Sequence, residues 1–115
     1  MSTLNTVGKE NVMFTKGAVD NMLGRLTSVY EHGIIRDITP EDIRIITEQG
    51  ERYSEQGMRV LCFAMRRLGD SSEIKLADEN DFTFIGLCAM TDPPRDESKA
   101  AVADCIRAGI KPVMI

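Results

Sequence analysis

The chain has 115 residues, a formal net charge of −4 and an isoelectric point of about 5.0. Hydrophobic residues make up 43% of the sequence and charged residues 28%, which is typical of an ordinary globular protein. The acidic balance argues against nonspecific binding to nucleic acid or acidic lipid, because no excess of cations is available to neutralise phosphates. This length predicts one domain, or one domain with part of a second.

Periodicity and turn residues predict a mixture of short strands and amphipathic helices. In chain order they are a strand over 11–15, a helix over 18–25, a β-ribbon over 27–38 with its turn at 31–33, a helix from 40 to about 56, strands over 58–65 and 82–90, a helix over 96–108 and a strand from 110. Thr39, Pro40 and the two acids that follow are a strong helix start.

Three features of the second half carry specific expectations. The run 82–90 is almost continuously apolar, so this strand is predicted to be covered on both faces. The polar segment 66–81 is predicted to be a loop, with a helical turn as an option, and its acidic patch Asp78, Glu79 and Asp81 is predicted to be solvated. A buried stripe is predicted on the last helix, consisting of Val102, Cys105 and Ile106.

The three cysteines Cys62, Cys88 and Cys105 are spaced too irregularly for a disulfide framework or a zinc site. All three lie among apolar residues, which predicts buried, reduced thiols of a cytosolic protein. His32 is the single histidine and lies in a predicted turn. A metal site and a Ser-His-Asp or Cys-His nucleophile are therefore not expected.

A change of architecture is predicted at Asp92 to Arg95. Pro93 and Pro94 stiffen the backbone between a mainly antiparallel region and a strand–helix–strand unit, which is parallel. One helix cannot cover such a unit, so we expect the chain to be a fragment of something longer. The predicted domains are 1–91 and 92–115, with a hinge between them.

Lys16, Gly17 and Ala18 are the first candidate site. A lysine at a strand end, a glycine that permits close approach and a helix N-terminus together suit an anion such as a phosphate. The alternative is a solvated lysine, which is common at strand ends.

Arg59 and Asp92 are the other candidates. Arg59 opens an apolar strand and suits bidentate phosphate binding, whereas the alternative is an edge arginine paired with an acid. Asp92 follows a strand and could hold a ligand hydroxyl or Mg²⁺, whereas the alternative is a turn aspartate.

Several motifs, in order along almost the whole chain, resemble P-type cation-transporting ATPases, specifically the type II group that contains the calcium pumps. They are "MFTKGAVD", "MRVLCFAMRRL" and "DFTFIGLCAMTDPPRDESKAAVADCIRAGIKPVMI". Met1-Ser2 is also similar to the end of the family's "RKxMS" segment. The sequence departs from the common pattern at Val19-Asp20, where many members have Pro-Glu.

The resemblance implies an α+β fold: an antiparallel sheet with flanking helices, from the nucleotide-binding domain, ending in one βα unit of a haloacid-dehalogenase-like α/β domain. It implies that Lys16 lines the ATP pocket, that Gly17 and Ala18 keep this wall close to the nucleotide, and that Arg59 reaches the phosphates. Asp92, Pro93, Pro94 and Arg95 match the hinge, and Asp92 would lie near the ribose.

The resemblance also implies what this segment would do. The family's phosphorylated "DKTGT" aspartate and its "GDGxND" Mg²⁺ motif do not occur in these 115 residues, so no catalytic residue is expected and the segment alone should be inactive. The parent would be an integral membrane pump that couples ATP and Mg²⁺ to transport of a cation, Ca²⁺ by similarity, with this segment in its cytoplasmic portion.

The expected partners are ATP and the rest of the pump, and we also expect the fragment to form a homo-oligomer through uncovered apolar surface. One alternative is a free-standing nucleotide-binding or regulatory module derived from such a pump. Another is a piece of a dehalogenase-like phosphatase, which would need a pair of aspartates that is absent after the strand ending before Asp92.

Overall fold

The computed structural model describes residues 1–93 and 95–113, which form one mixed sheet with helices. The strands are β1 (Ser2–Val7), β2 (Glu10–Gly17), β3 (Leu26–Glu31), β4 (Ile34–Asp37), β5 (Arg59–Gly69) and β6 (Phe82–Met90). The helices are α1 (Val19–Leu23), α2 (Pro40–Glu55) and α3 (Asp96–Arg107), with a short 3₁₀ helix at Leu76–Asp78. The strand order is β1-β2-β5-β6-β3-β4.

The predicted α+β class with a largely antiparallel sheet is confirmed, with one exception in strand direction. Every neighbouring pair is antiparallel except β3 and β6, which run parallel. These two strands are joined through β4, α2 and β5, so no tight turn dictates their relative direction. Local sequence patterns could not reveal this pairing.

The predicted ribbon is confirmed as β3 and β4. Glu31 and Ile34 are paired, which leaves a two-residue turn at His32 and Gly33. Their φ angles are 51° and 86°, as a type I′ hairpin turn requires. His32 is therefore a turn residue, as the sequence predicts.

Two strand segments are missed by the sequence patterns. β1 is polar and lacks apolar alternation, but it pairs with β2 through a tight hairpin. β5 continues through the polar stretch from Arg66 to Gly69, because the far end of β2 provides hydrogen-bonding partners up to Gly69. The predicted loop therefore begins after this stretch.

The core lies on one side of the sheet, here called the helix face. Its fully buried side chains are Phe82, Met13 and Cys62, with Met22 of α1 and Ile46 of α2 packed over them. The cluster is completed by Leu26 and Ala64. Burial of these apolar side chains supplies the main driving force for folding.

The other side of the sheet is the open face, which no described helix covers. Its central side chains are Val12, Phe14 and Lys16 of β2, Arg59, Leu61, Phe63 and Met65 of β5, and Ile85, Cys88 and Met90 of β6. Ile85 and Met90 are 40% and 39% exposed. The prediction that β6 is covered on both faces is therefore wrong, since apolar residues on both sides of a strand do not ensure two covering layers.

The helix α3 differs from prediction in its burial. It begins and ends close to the predicted bounds, but it has no buried residue, and Val102 and Ile106 are 46% and 62% exposed. The predicted buried stripe has no covering element among the described residues. The strand predicted from 110 is not formed over 110–113, and its last two residues, 114 and 115, lie outside the described residues.

The start of α2 is held by a polar cluster. Thr39 Oγ1 accepts a hydrogen bond from Asp42 N at 3.2 Å, and the Asp42 carboxylate accepts from Thr39 N at 2.8 Å, which is a reciprocal capping box. Arg36 of β4 donates to the same carboxylate at 2.6 and 2.9 Å. This cluster ties the β-ribbon to the helix that covers the core.

Acid should weaken this junction. Hydrogen bonds from Arg36 first, and then from Thr39, hold the pKa of the Asp42 carboxyl well below its usual range. A folded-state pKa below the unfolded value of about 3.9 means that the stabilisation is complete above that pH and is lost as pH falls further. Urea unfolding between pH 7 and pH 2 should show a steeper acid loss for wild type than for Asp42→Asn. Identical pH profiles would contradict this, and Asp37→Asn is the matched control.

Removing residues 92–115 should change the free energy of unfolding by less than about 1 kcal/mol, because α3 buries none of its residues. Urea denaturation of chains 1–91 and 1–115 measures the difference. Phe82→Ala, at a fully buried position, should cost about 3–5 kcal/mol and shows that the assay detects a core defect. A loss of that size on truncation would show that α3 is integral to the sheet.

Candidate functional site

A pocket of about 190 Å³ lies on the open face at the end of β2. It is lined by Met1, Thr3, Phe14, Thr15, Lys16, Phe63, Ala64 and Ile85. Lys16 contributes the charged side chain in an otherwise mainly apolar lining. A small concave apolar surface with one cationic side chain suits a flat ring that also carries polar atoms.

The backbone of Lys16 is held on both sides. Its N–H donates to the carbonyl of Met1 at 3.0 Å, and the amino group of Met1 donates to its carbonyl at 3.0 Å. On the other side, Lys16 is the partner of Phe63 in β5. The side chain itself is exposed, so a fixed backbone presents a free ammonium beside the pocket.

Arg59 lies on the same face as Lys16. It precedes Phe63 by four residues in β5, and an even separation keeps side chains on one side of a strand. The two positions are therefore roughly 13 Å apart along the strand direction. Among residues 1–93 and 95–113, neither cation forms an ion pair with a carboxylate. No carboxylate of the described residues therefore supports the alternative that Arg59 is paired with an acid.

Gly17 and Ala18, unlike Lys16, do not line the pocket. Gly17 is paired with the buried Cys62, and a Cβ added to it would lie 3.2 Å from Cγ and Sδ of Met22. Its missing side chain thus lets α1 pack closely on the helix face. Ala18 precedes α1, which has only five residues, so the expected anion site at a helix N-terminus is not supported.

Asp92 lies beyond the Arg59 end of the sheet. Met90, two residues earlier, is the partner of Arg59. Asp92 and Pro93 are exposed and have no regular secondary structure, and Arg95 is the exposed residue before α3. Pro94 lies outside the described residues. The structure thus places Asp92 after the strand end next to Arg59, and its role and the hinge stay predictions.

The open face adds residues that the sequence patterns missed. Leu61 lies between the two cations, Phe63 lies beside Lys16 as its partner, and Cys88 is the partner of Leu61. The alternation of side chains along a strand, counted from Arg59, could have identified Leu61 and Phe63. Cys88 is exposed, so the prediction that all three cysteines are buried is wrong for it, whereas Cys62 is fully buried as predicted. Cys105 is intermediate.

The acidic loop is also more ordered than predicted. Glu79 Oε1 accepts a hydrogen bond from Ser2 Oγ at 2.6 Å, and Asp78 Oδ2 accepts one from Lys75 N at 2.9 Å. The description of this stretch as a solvated acidic loop is therefore wrong for these two carboxylates. No local pattern signals a contact between residues 77 positions apart.

No group of three His, Cys, Asp or Glu side chains in the described part of the chain could hold a metal ion. Among the described helices, none has the length and apolar content needed to cross a membrane.

Comparison with known proteins identifies the family. Residues 1–97 match the family model described as P-type ATPase, cytoplasmic domain N. The chain therefore belongs to the P-type ATPases, and residues 1–97 correspond to their cytoplasmic domain N.

Individual relatives agree with this assignment. The whole chain is 40% identical to a calcium-transporting ATPase of Listeria monocytogenes and 38% identical to one of Lactococcus lactis. It is 30% identical to an endoplasmic reticulum-type calcium-transporting ATPase of Arabidopsis thaliana. The chain spans 13% of the length of the two bacterial proteins and 12% of the plant protein.

The cysteines should differ sharply in reactivity. Burial raises the pKa of the Cys62 thiol to about 11, and the thiolate is the reactive species, so only about one molecule in a thousand is reactive at pH 8. Ellman's reagent should label the exposed Cys88 rapidly and Cys62 only on unfolding. Cys88→Ser should remove the part of the rapid phase that is due to Cys88, with mass spectrometry distinguishing it from labelling of the partly exposed Cys105. Rapid labelling of Cys62 would show that the helix face is not closed.

Proposed function

We propose that the open face binds ATP, with the base in the pocket beside Lys16 and the phosphates directed toward Arg59. The observation that carries this proposal is the placement of two cations, neither paired with a carboxylate among the described residues, on one face along one strand direction. Membership of the domain N family supports the same reading.

From Lys16 to Arg59, the open face offers contacts first for the base and then for the phosphates of a nucleotide. Phe14, Phe63 and Ile85 provide apolar contact for a planar base. The guanidinium of Arg59 can donate two parallel hydrogen bonds to phosphate oxygens. The separation of roughly 13 Å is comparable to the length of an extended nucleoside triphosphate. The contact of Asp92 with the ribose that the family resemblance implies does not follow from this arrangement, because Asp92 lies past the strand end beyond Arg59, on the phosphate side.

We further propose that the parent protein is an integral membrane pump that hydrolyses ATP to transport a cation, and the names of the relatives favour Ca²⁺. These 115 residues would recognise the nucleotide, while the phosphate-accepting aspartate lies elsewhere in the parent. Mg²⁺ would arrive with ATP, since the described residues offer no three-ligand cluster. The chain by itself should not hydrolyse ATP.

Residues 92–115 would then belong to the neighbouring phosphorylation domain, with Asp92 to Arg95 as the hinge. The exposed apolar side chains of α3 favour this division, because a helix without a buried face needs a further partner to bury it. In the parent, movement about the hinge would carry the bound nucleotide toward the acceptor aspartate.

An ATP titration followed by amide NMR tests nucleotide binding. We expect saturable shifts near Lys16, Phe63 and Arg59, with a Kd of about 1 mM, equivalent to roughly 4 kcal/mol. Lys16→Ala and Arg59→Ala should each weaken binding about tenfold, because each removes a charge-assisted contact.

Matched controls separate these contacts from general charge effects. Lys9→Ala removes an exposed lysine at the opposite end of β2, and Arg67→Ala removes an arginine from the same strand as Arg59. Both should bind ATP as wild type does. Shifts centred on another surface, or equal losses in the controls, would contradict the proposed site.

A further inference from the structure

A line of hydrogen bonds lies on the helix face directly behind the pocket. Thr15 Oγ1 donates to Ser2 Oγ at 3.0 Å, and Ser2 Oγ donates to Glu79 Oε1 at 2.6 Å. Thr15 is only 5% exposed and Glu79 is partly buried. The short bond to a carboxylate is of the stronger, charge-assisted kind.

The loop around Glu79 is built so that its carboxylate has a fixed position. Arg66 Nη1 donates to the carbonyls of Asp78 and Asn80, the residues on either side of Glu79, at 2.7 and 3.2 Å. Arg25 Nη1 donates to the Glu79 carbonyl at 3.3 Å and lies 3.6 Å from Oε2. Two arginines from the sheet region thus hold the backbone from which this carboxylate projects.

The connection from this line to the pocket runs through β1. Ser2 is paired with Thr15, and Met1, the adjacent residue, exchanges backbone hydrogen bonds with Lys16. Because side chains alternate along a strand, Ser2 lies on the helix face while Met1 and Thr3 lie on the open face and line the pocket. A contact that fixes Ser2 on the helix face therefore also fixes Met1 and Thr3, which line the pocket on the open face.

β1 has few other restraints. It is an edge strand, paired on one side only, and most of its residues are exposed. Edge strands shift more easily than central ones because half of their backbone groups have no partner strand. The bond from Ser2 to Glu79 is a side-chain tether from this edge to a distant loop.

We propose that Glu79 is a positioning residue for nucleotide recognition, acting through Ser2 to hold the Met1–Thr3 wall of the pocket against the base. This inference rests on the proposed function. It assigns to the acidic loop a role in base affinity, while the affinity for phosphates is left to Arg59.

The test compares Glu79→Ala with Glu79→Gln in the full chain, because glutamine keeps an acceptor oxygen for Ser2. Glu73→Ala, an exposed acid of the same loop, is the matched control. Binding of ATP and of inorganic tripolyphosphate is measured for each, together with the melting temperature. Tripolyphosphate lacks the base, so its affinity reports on the phosphate contacts alone.

We expect Glu79→Ala to weaken ATP binding about five- to tenfold and tripolyphosphate binding less than twofold, with Glu79→Gln and Glu73→Ala close to wild type. A purely structural role would reduce both affinities together with the melting temperature, and glutamine would not rescue. That result, or unchanged ATP affinity in Glu79→Ala, overturns the inference.

The ligand-free NMR spectrum keeps the two proposals distinguishable. If wild type does not bind ATP more tightly than tripolyphosphate, the proposed base pocket fails. The positioning role is then judged from the Met1 methyl and the Lys16 and Thr3 amide signals. These should move in Glu79→Ala and stay near wild-type values in Glu79→Gln, and unmoved signals in both variants reject the role.

Discussion

The register of β2 against β5 places Lys16 opposite Phe63 and Gly17 opposite Cys62. On the helix face it brings Met13, Cys62 and Ala64 beneath the helices, and on the open face it aligns Lys16 with Arg59. A slip of one residue would exchange the two faces, which would expose the core and bury a lysine. Core packing and the candidate site therefore depend on the same pairing, and the free energy of burial that selects the register also places the cations.

One-sided helical cover is the second constraint. α1 and α2 pack on the helix face, whereas the opposite face leaves aromatic and aliphatic side chains partly exposed. Exposed apolar surface of this kind has a free-energy cost in water that a bound ring can reduce. The same arrangement explains why the pocket is shallow, because it is a depression on a sheet rather than a cleft between layers.

Several elements could be predicted from local sequence because their causes are local. The cap at Thr39 with Pro40 and Asp42 defines the start of α2, and the turn at His32-Gly33 defines the ribbon. Lys16 could be chosen as a candidate because a glycine and a predicted helix start follow it, and Arg59 because it opens an otherwise apolar strand. Their family motifs then indicated the ligand, which composition and periodicity alone could not do.

Other features could not be predicted because their causes are distant in sequence. β1 has little apolar pattern of its own and exists because β2 pairs with it. Cys88 and Cys62 have similar apolar neighbours, but they lie on opposite faces of the sheet, and the described helices cover only the face of Cys62. In the sequence, nothing distinguishes Glu79 from the other acids of the polar loop, and only the fold brings Ser2 within hydrogen-bond distance of it.

The sequence by itself determined the local elements and the chemical type of the candidate residues, because caps, turns and periodicity act over a few neighbouring positions. It also carried the motifs of the P-type ATPase family. Only the tertiary structure decided which face stays open, that β3 and β6 run parallel, and that Glu79 lies behind the pocket. These outcomes depend on pairing between segments far apart in the chain, where the burial of the whole sheet outweighs any local preference.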